Sequence, residues 1–211
     1  MFVRPNRFSW TPDSLYDQRQ NVDVHTMPGI RYKQLAERAT ENYGYLTGQD
    51  ARELDVPIGT LNALARRGQL DRVGHGIYRV PLVPPGRLDQ YKLATLWPDG
   101  RGLISHESAL DLYGISDVNP AKLHVTVPRI YRTHRKIPAL YVLHREEVAD
   151  VDRGSVEGIA VVSVAKAIRQ VYEQHLRRSL VEQAIDDGER EGWLRRRQAE
   201  ELRRELLGRT A

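Results

Sequence analysis

With 211 residues, 40% hydrophobic and 28% charged side chains, the chain has the make-up of a soluble globular protein of one large or two small domains. It contains no cysteine, which excludes disulfides, thiolate zinc sites and a cysteine nucleophile, and no run nears the ~20 apolar residues of a membrane span. The net charge of +4 favours polyanion contact only mildly, so where the cations lie says more than how many there are.

Residues 1–28 carry no sustained period and are broken at Pro5, Pro12 and Pro28. They lack an apolar signal core, which points to a cytoplasmic protein. Arg4, Arg7 and Arg19 balance Asp13, Asp17 and Asp23, while Phe2, Phe8, Trp10 and Tyr16 are many aromatics for a plain tail. An irregular leader that docks in part and an arm that reaches along DNA or a partner both fit. Ile30–Tyr43 then reads as a helix, with Ile30, Leu35, Ala39 and Tyr43 near one stripe and Gly44 as the stop.

The stretch Gly44–Pro81 holds the strongest signal. Thr47 with Asp50 three residues on forms a capping pattern for a short helix over Gln49–Leu54. Pro57 disfavours a helical Val56 and suits the first turn of a second helix. In that helix Leu61, Leu64 and Ala65 share one stripe, and Gly59, Asn62, Ala63 and Arg66 fall opposite, beside Thr60 and Arg67. Gly68 stands where a left-handed C-cap is usual. The runs Leu70–Val73 and Ile77–Val80, joined by Gly-His-Gly at 74–76, read as a β-hairpin. Helix–turn–helix–hairpin is the order of a winged helix-turn-helix.

The segment PLVPPG (81–86) marks a stiff linker. Beyond it, helices are expected over Leu88–Trp97 and His106–Tyr113, the latter capped by Ser105 and ended by Gly114. Leu123–Val127 and Leu140–Leu143 alternate like strands, and Ile159–Val162 is an apolar run entering a helix at Ser163. Two more helices follow, over Leu176–Asp187 and Trp193–Leu207. The fold class is α+β. The expected parts are an arm (1–28), a winged helix-turn-helix (29–83) and an α+β domain with a helical C-terminal tail (84–211).

A second helix of this kind fits the major groove, where Arg pairs bidentately with guanine and Asn with adenine. Asn62 and Arg66, four apart, can enter one groove together, with Thr60 and Arg67 beside them. Arg72, His75 and Arg79 bracket the wing and are placed to meet phosphate or minor groove; Lys33 and Arg52 are further phosphate candidates. Another basic region, 122–145, has no acidic residue. Its turn Pro128–Pro138 concentrates Arg129, Arg132, Arg135 and Lys136 around Tyr131. A solvated hairpin tip, a second DNA contact and a dock for an acidic partner all remain open there.

The histidines suggest no metal. His106-Glu107 lacks a second His four residues after the first, and His124, His134 and His144 recur ten apart with no fixed ligand geometry implied. No cluster of carboxylates with Lys lies on a strand, as metal-dependent nuclease chemistry requires. No enzyme, cofactor, metal site or membrane partner is expected.

Taken together, Leu46-Thr47, RRGQLDRVGHGIYRVP (66–81), LISHESALDLYGI (103–115), HVTVP (124–128), LYVLHRE (140–146) and GIAVVSVAKAI (158–168) resemble the AbiEi-type antitoxins of bicistronic type IV toxin–antitoxin systems. The resemblance runs over roughly residues 30–175; the arm and the helical tail depart from it. It implies a transcriptional autorepressor whose winged domain binds DNA repeats at its own promoter and whose second domain supports antitoxicity. The implied partners are double-stranded operator DNA and a nucleotidyltransferase toxin encoded beside it. A stand-alone winged-helix regulator or a protein-interaction module is the alternative.

Overall fold

The structure, a computed structural model, describes residues 29–208, so the expected arm lies outside the described residues. Helix α1 (Ile30–Glu41) turns Leu35 and Ala39 inward and ends two residues before the expected Tyr43. Tyr43 and Gly44 then take φ of 57° and 81°, and this left-handed pair reverses the chain into β1 (Tyr45–Thr47). Three residues are too few for alternation to register, and this strand was not anticipated.

Thr47 caps α2 (Gly48–Glu53) as expected. The Asp50 N–H donates to its hydroxyl at 3.3 Å, while the Asp50 carboxylate accepts the Thr47 N–H at 2.8 Å. That carboxylate also accepts from Arg38 Nε at 3.0 Å, so the cap doubles as a tie to α1. Pro57 stands at the N-cap of α3 (Ile58–Arg66), one position earlier than the first turn. The far end of α3 closes on Gly68 (φ 72°). The Gly68 N–H donates to the Ala65 carbonyl and the Gln69 N–H to that of Leu64, both at 3.0 Å.

Strands β2 (Asp71–Gly74) and β3 (Ile77–Arg79) form the expected hairpin, with a bulge between Arg72 and Gly74. β1 joins on the other side of β3, giving the antiparallel order β1–β3–β2. This arrangement matches that of a winged helix-turn-helix. Its interior is one cluster that includes Leu35, Leu46, Leu61, Leu70 and Val80.

A second cluster forms around a five-stranded sheet. Helix α4 (Asp89–Leu96) leads to β4 (Leu103–Ile104), α5 (His106–Tyr113), β5 (Leu123–Val127) and β6 (Tyr141–Arg145). A single 3₁₀ turn precedes β7 (Arg153–Val156), β8 (Ile159–Val162), α6 (Val164–Glu173) and α7 (Arg178–Arg190). Last comes α8 (Arg196–Leu202), which widens into a π-helical turn over Arg203–Leu207. The sheet order is β6–β5–β4–β8–β7.

Two expectations change here. β5 and β6 are parallel, so the basic segment between them crosses over and is no hairpin tip. The last helix begins at Arg196, because Trp193 precedes it in a turn and packs edge-on against Tyr113 at 4.9 Å. The helix expected from Ser163 begins one residue later, at Val164, with Ser163 as its cap, accepting the Lys166 N–H.

The PLVPPG segment is fastened at both ends. Arg79, the last residue of β3, forms an ion pair with Asp89 at the start of α4; only 5% and 12% of the two side chains are exposed. The Arg79 guanidinium also donates to the Val83 carbonyl at 2.9 Å and sits 5.1 Å from the Tyr45 ring centre. Asp89 in turn accepts the Gly86 N–H at 3.1 Å. The Tyr43 hydroxyl and the Lys92 ammonium add bonds to the carbonyls of Glu157 and Gly158 in the β7–β8 turn. Replacing Asp89 by Ala strands a buried guanidinium, and urea unfolding is expected to show a loss of about 3–5 kcal/mol; a loss below 1 kcal/mol would show that Arg79 finds other compensation.

Candidate nucleic-acid interface

The stripe Leu61–Leu64 is buried, which leaves the other side of α3 to solvent. There Gly59, Asn62, Arg66 and Arg67 are exposed, with Thr60 half-buried at the margin. The wing adds exposed Arg72 and His75, while Lys33 on α1 and Arg52 on α2 are exposed as well. Arg66 Nε and Arg72 Nε reach only backbone carbonyls, those of Asn62 and Gly74, at a long 3.4 Å. Bonds that long are weak, so both guanidinium groups can turn to a phosphate or base edge with little penalty. Lys33 lies 3.9 Å from Glu37 in an exposed i,i+4 pair, which restrains it little.

Four residues differ from the sequence reading. Arg79 is 4% exposed and is held by Asp89, so it braces the wing from inside and does not meet phosphate. Asn62 is exposed, yet its side-chain carbonyl accepts a hydrogen bond from the Tyr78 hydroxyl at 2.7 Å. Bidentate pairing with adenine uses that carbonyl, so adenine either shares the oxygen's two lone pairs with Tyr78 or displaces Tyr78. Ile58 and Val73, 44% and 41% exposed, put apolar surface beside the basic face. Such side chains suit the thymine methyl group, a role the charge pattern does not signal.

The crossing segment between β5 and β6 divides similarly. Tyr131 is buried, and its hydroxyl accepts from Arg135 at 2.9 Å. Arg135 also donates to Asp99 and to the Trp97 carbonyl, both at 2.9 Å, and lies 4.7 Å above the Trp97 ring centre. It is a strut inside the loop, contrary to its place among the contact candidates. Arg129, Arg132 and Lys136 remain exposed, though Arg132 folds back onto the carbonyls of Arg129 and Tyr131.

Elsewhere the sheet gathers side chains that the spacing did not. His124 and His144 lie on one face of β5 and β6, His144 Nε2 standing 3.1 Å from His124 Nδ1. His106, at the start of α5, stacks on His144 with ring centres 3.8 Å apart. His134 is exposed in the crossing segment and is not one of the three. Ser105 does stand at the N-cap of α5, but its hydroxyl makes no cap bond and meets His106 Nδ1 at 2.9 Å.

Burial, reinforced by His144, His124 and Lys166, pulls the His106 pKa down to about 3. Burial and His124 pull His144 to about 4 against the opposing charge of Glu146, and burial lowers His124 against Glu107. All three rings are therefore neutral at pH 7. Glu146 beside them pairs with Lys166 and accepts from Gln170 Nε2 at 2.7 Å. Nothing in the linear spacing links position 106 to 124 and 144; the pairing of β4 with β5 and of β5 with β6 does so.

No helix among the described residues is long and apolar enough to cross a membrane. Residues 33–81 match the family described as "Transcriptional regulator, AbiEi antitoxin". This span runs from α1 through the wing, and over it the resemblance read from sequence holds. No curated protein matches. Among solved structures, the crystal structure of the RV2827C protein from Mycobacterium tuberculosis is similar at 14% identity and a TM-score of 0.43, covering 84% of this chain and 72% of that one.

The division of labour among the cations is testable. Arg135→Ala removes charged hydrogen bonds from a half-buried site and is expected to lower unfolding free energy by about 1.5–3 kcal/mol, whereas Lys136→Ala leaves the thermal midpoint unchanged. Equal midpoints for the two variants would contradict the strut.

Proposed function

We propose that this chain, with a winged segment of the AbiEi antitoxin family, is a non-enzymatic antitoxin that represses its own operon. The observation that carries the reading is the coincidence of the family match over 33–81 with an outward basic face. Arg66 at the end of α3, its C-cap Arg67, and Arg72 and His75 of the wing are all exposed, and Arg66 and Arg72 are weakly held. In the proposed complex α3 enters the major groove, with Arg66 reading guanine and Asn62 adenine. Thr60, Arg67 and Ile58 line the same groove. Arg72 and His75 hold the wing to phosphate or minor groove, and Lys33 and Arg52 add backbone contacts.

Arg129, Arg132 and Lys136 form a separate, exposed cationic loop for DNA or for an acidic partner protein. The partner the family implies is a nucleotidyltransferase toxin, which the antitoxin counteracts in the cytoplasm.

Fluorescence anisotropy on the DNA upstream of its own reading frame tests the DNA-binding half. If Lys33, Arg52, Arg66, Arg67 and Arg72 all neutralise phosphate, log Kd changes with log salt with a slope of about 4–5; readers of bases bring it lower. Arg72→Ala is expected to reduce the slope by about 1 and to weaken all sequences alike. Arg66→Ala is expected to cost about 1–3 kcal/mol on the operator and to narrow the gap to unrelated DNA. Binding that is absent, or indifferent to salt, would sink the DNA reading. Growth rescue on co-expression with the neighbouring toxin tests the antitoxin half separately.

A further inference from the structure

Three imidazoles from three elements meet on one face of the second core: His106 opens α5, His124 lies on β5 and His144 on β6. One ring nitrogen of each lies within 4.8 Å of the other two. The DNA-binding reading uses none of them. We propose that His106, His124 and His144 form a binding site for one divalent transition-metal ion of the zinc class, with solvent in the fourth position.

The backbone sets the site out before any ion arrives. β5 and β6 pair in parallel with His124 opposite Val142 and His144 opposite Thr126, so the two rings project from one face, two register positions apart. Their facing nitrogens stand 3.1 Å apart, against the roughly 3.3 Å between two ligands of a tetrahedral ion with bonds near 2.05 Å.

The third ligand is held in place at some expense. His106 takes φ of 55°, a left-handed conformation that is strained for a residue with a side chain. Gln170, 2% exposed, accepts the strained residue's backbone N–H at 3.3 Å. Ser105 Oγ meets its Nδ1 at 2.9 Å, the orienting bond that ligating histidines normally have on the far nitrogen. Nε2 is then the nitrogen that ligates.

The electrostatics permit an ion. Each ring is neutral, the state in which imidazole ligates. Lys166, the cation beside the cluster, is already paired with Glu146. A set of three imidazoles selects zinc, copper or nickel over calcium and magnesium, which require oxygen ligands.

One adjustment is needed. His106 and His144 are stacked at 3.8 Å, whereas two imidazoles on one tetrahedral ion have centres about 5 Å apart, so the stack opens by about 1 Å. β6 is an edge strand of the sheet and His144 is half-buried, which makes His144 the ring that moves. Without metal, His124 and His144 hydrogen-bond to each other and His106 bonds to Ser105, as a neutral polar cluster.

Isothermal titration of the full, tag-free chain with zinc chloride after chelator dialysis tests this. One ion per chain is expected, together with a thermal midpoint that rises with zinc concentration. His124→Gln and His144→Gln, at half-buried positions that tolerate the change, should each abolish saturable uptake. His134→Gln, in the exposed loop, should leave it intact. Ser105→Ala should weaken uptake by about 10–100-fold, the usual effect of losing an orienting bond. No saturable uptake, or uptake indifferent to His124→Gln and His144→Gln in variants with native circular dichroism, overturns the proposal. The result is independent of operator binding, so either reading can fail alone.

Discussion

The arrangement of this protein depends on a pair of opposite charges removed from water. Arg79 closes the last strand of the wing sheet and Asp89 opens the first helix of the second core, and both are buried. Each would be costly to bury alone, so the pair is tolerable only when the two cores sit where they do. The prolines between them shorten the reach, and the bonds to the Val83 carbonyl and from the Gly86 N–H add to the pair's hold. The wing is thereby braced from behind, and its exposed basic side keeps a fixed bearing on the rest of the molecule.

This joint also changes how the basic residues are to be counted. Arg38, Arg79 and Arg135 each spend their charge on partners within the chain, on Asp50 and Glu53, on Asp89, and on Asp99 with Trp97. Those on the outer side of α3 and on the wing have only weak backbone partners or exposed pairs. A modest net charge can then still serve a polyanion, because part of it stays uncommitted on the α3 side and the wing.

Much of the first core was legible in the residues. Thr47 with Asp50, the Leu61–Leu64 stripe, Gly68 and the Gly-His-Gly turn are local signals, each satisfied within a few residues of itself. What escaped was non-local. β1 and β7 are too short or too exposed to show a period, and the parallel pairing of β5 with β6 is invisible to alternation. Arg79 and Arg135 look like surface cations until their partners, 10 and 36 residues away, are found. The histidine cluster escaped for the same reason, since its members come together only through the order of the sheet.

The bond between Tyr78 and Asn62 has a kinetic meaning. A side chain tethered at rest takes no part in the first encounter with a duplex, which the long cationic side chains make alone. If Asn62 does read adenine, its share of the discrimination comes after the complex has formed, once its bond to the phenol has rearranged, whereas Arg66 is free from the start. The adenine part of selectivity would then be written in residence time more than in association rate.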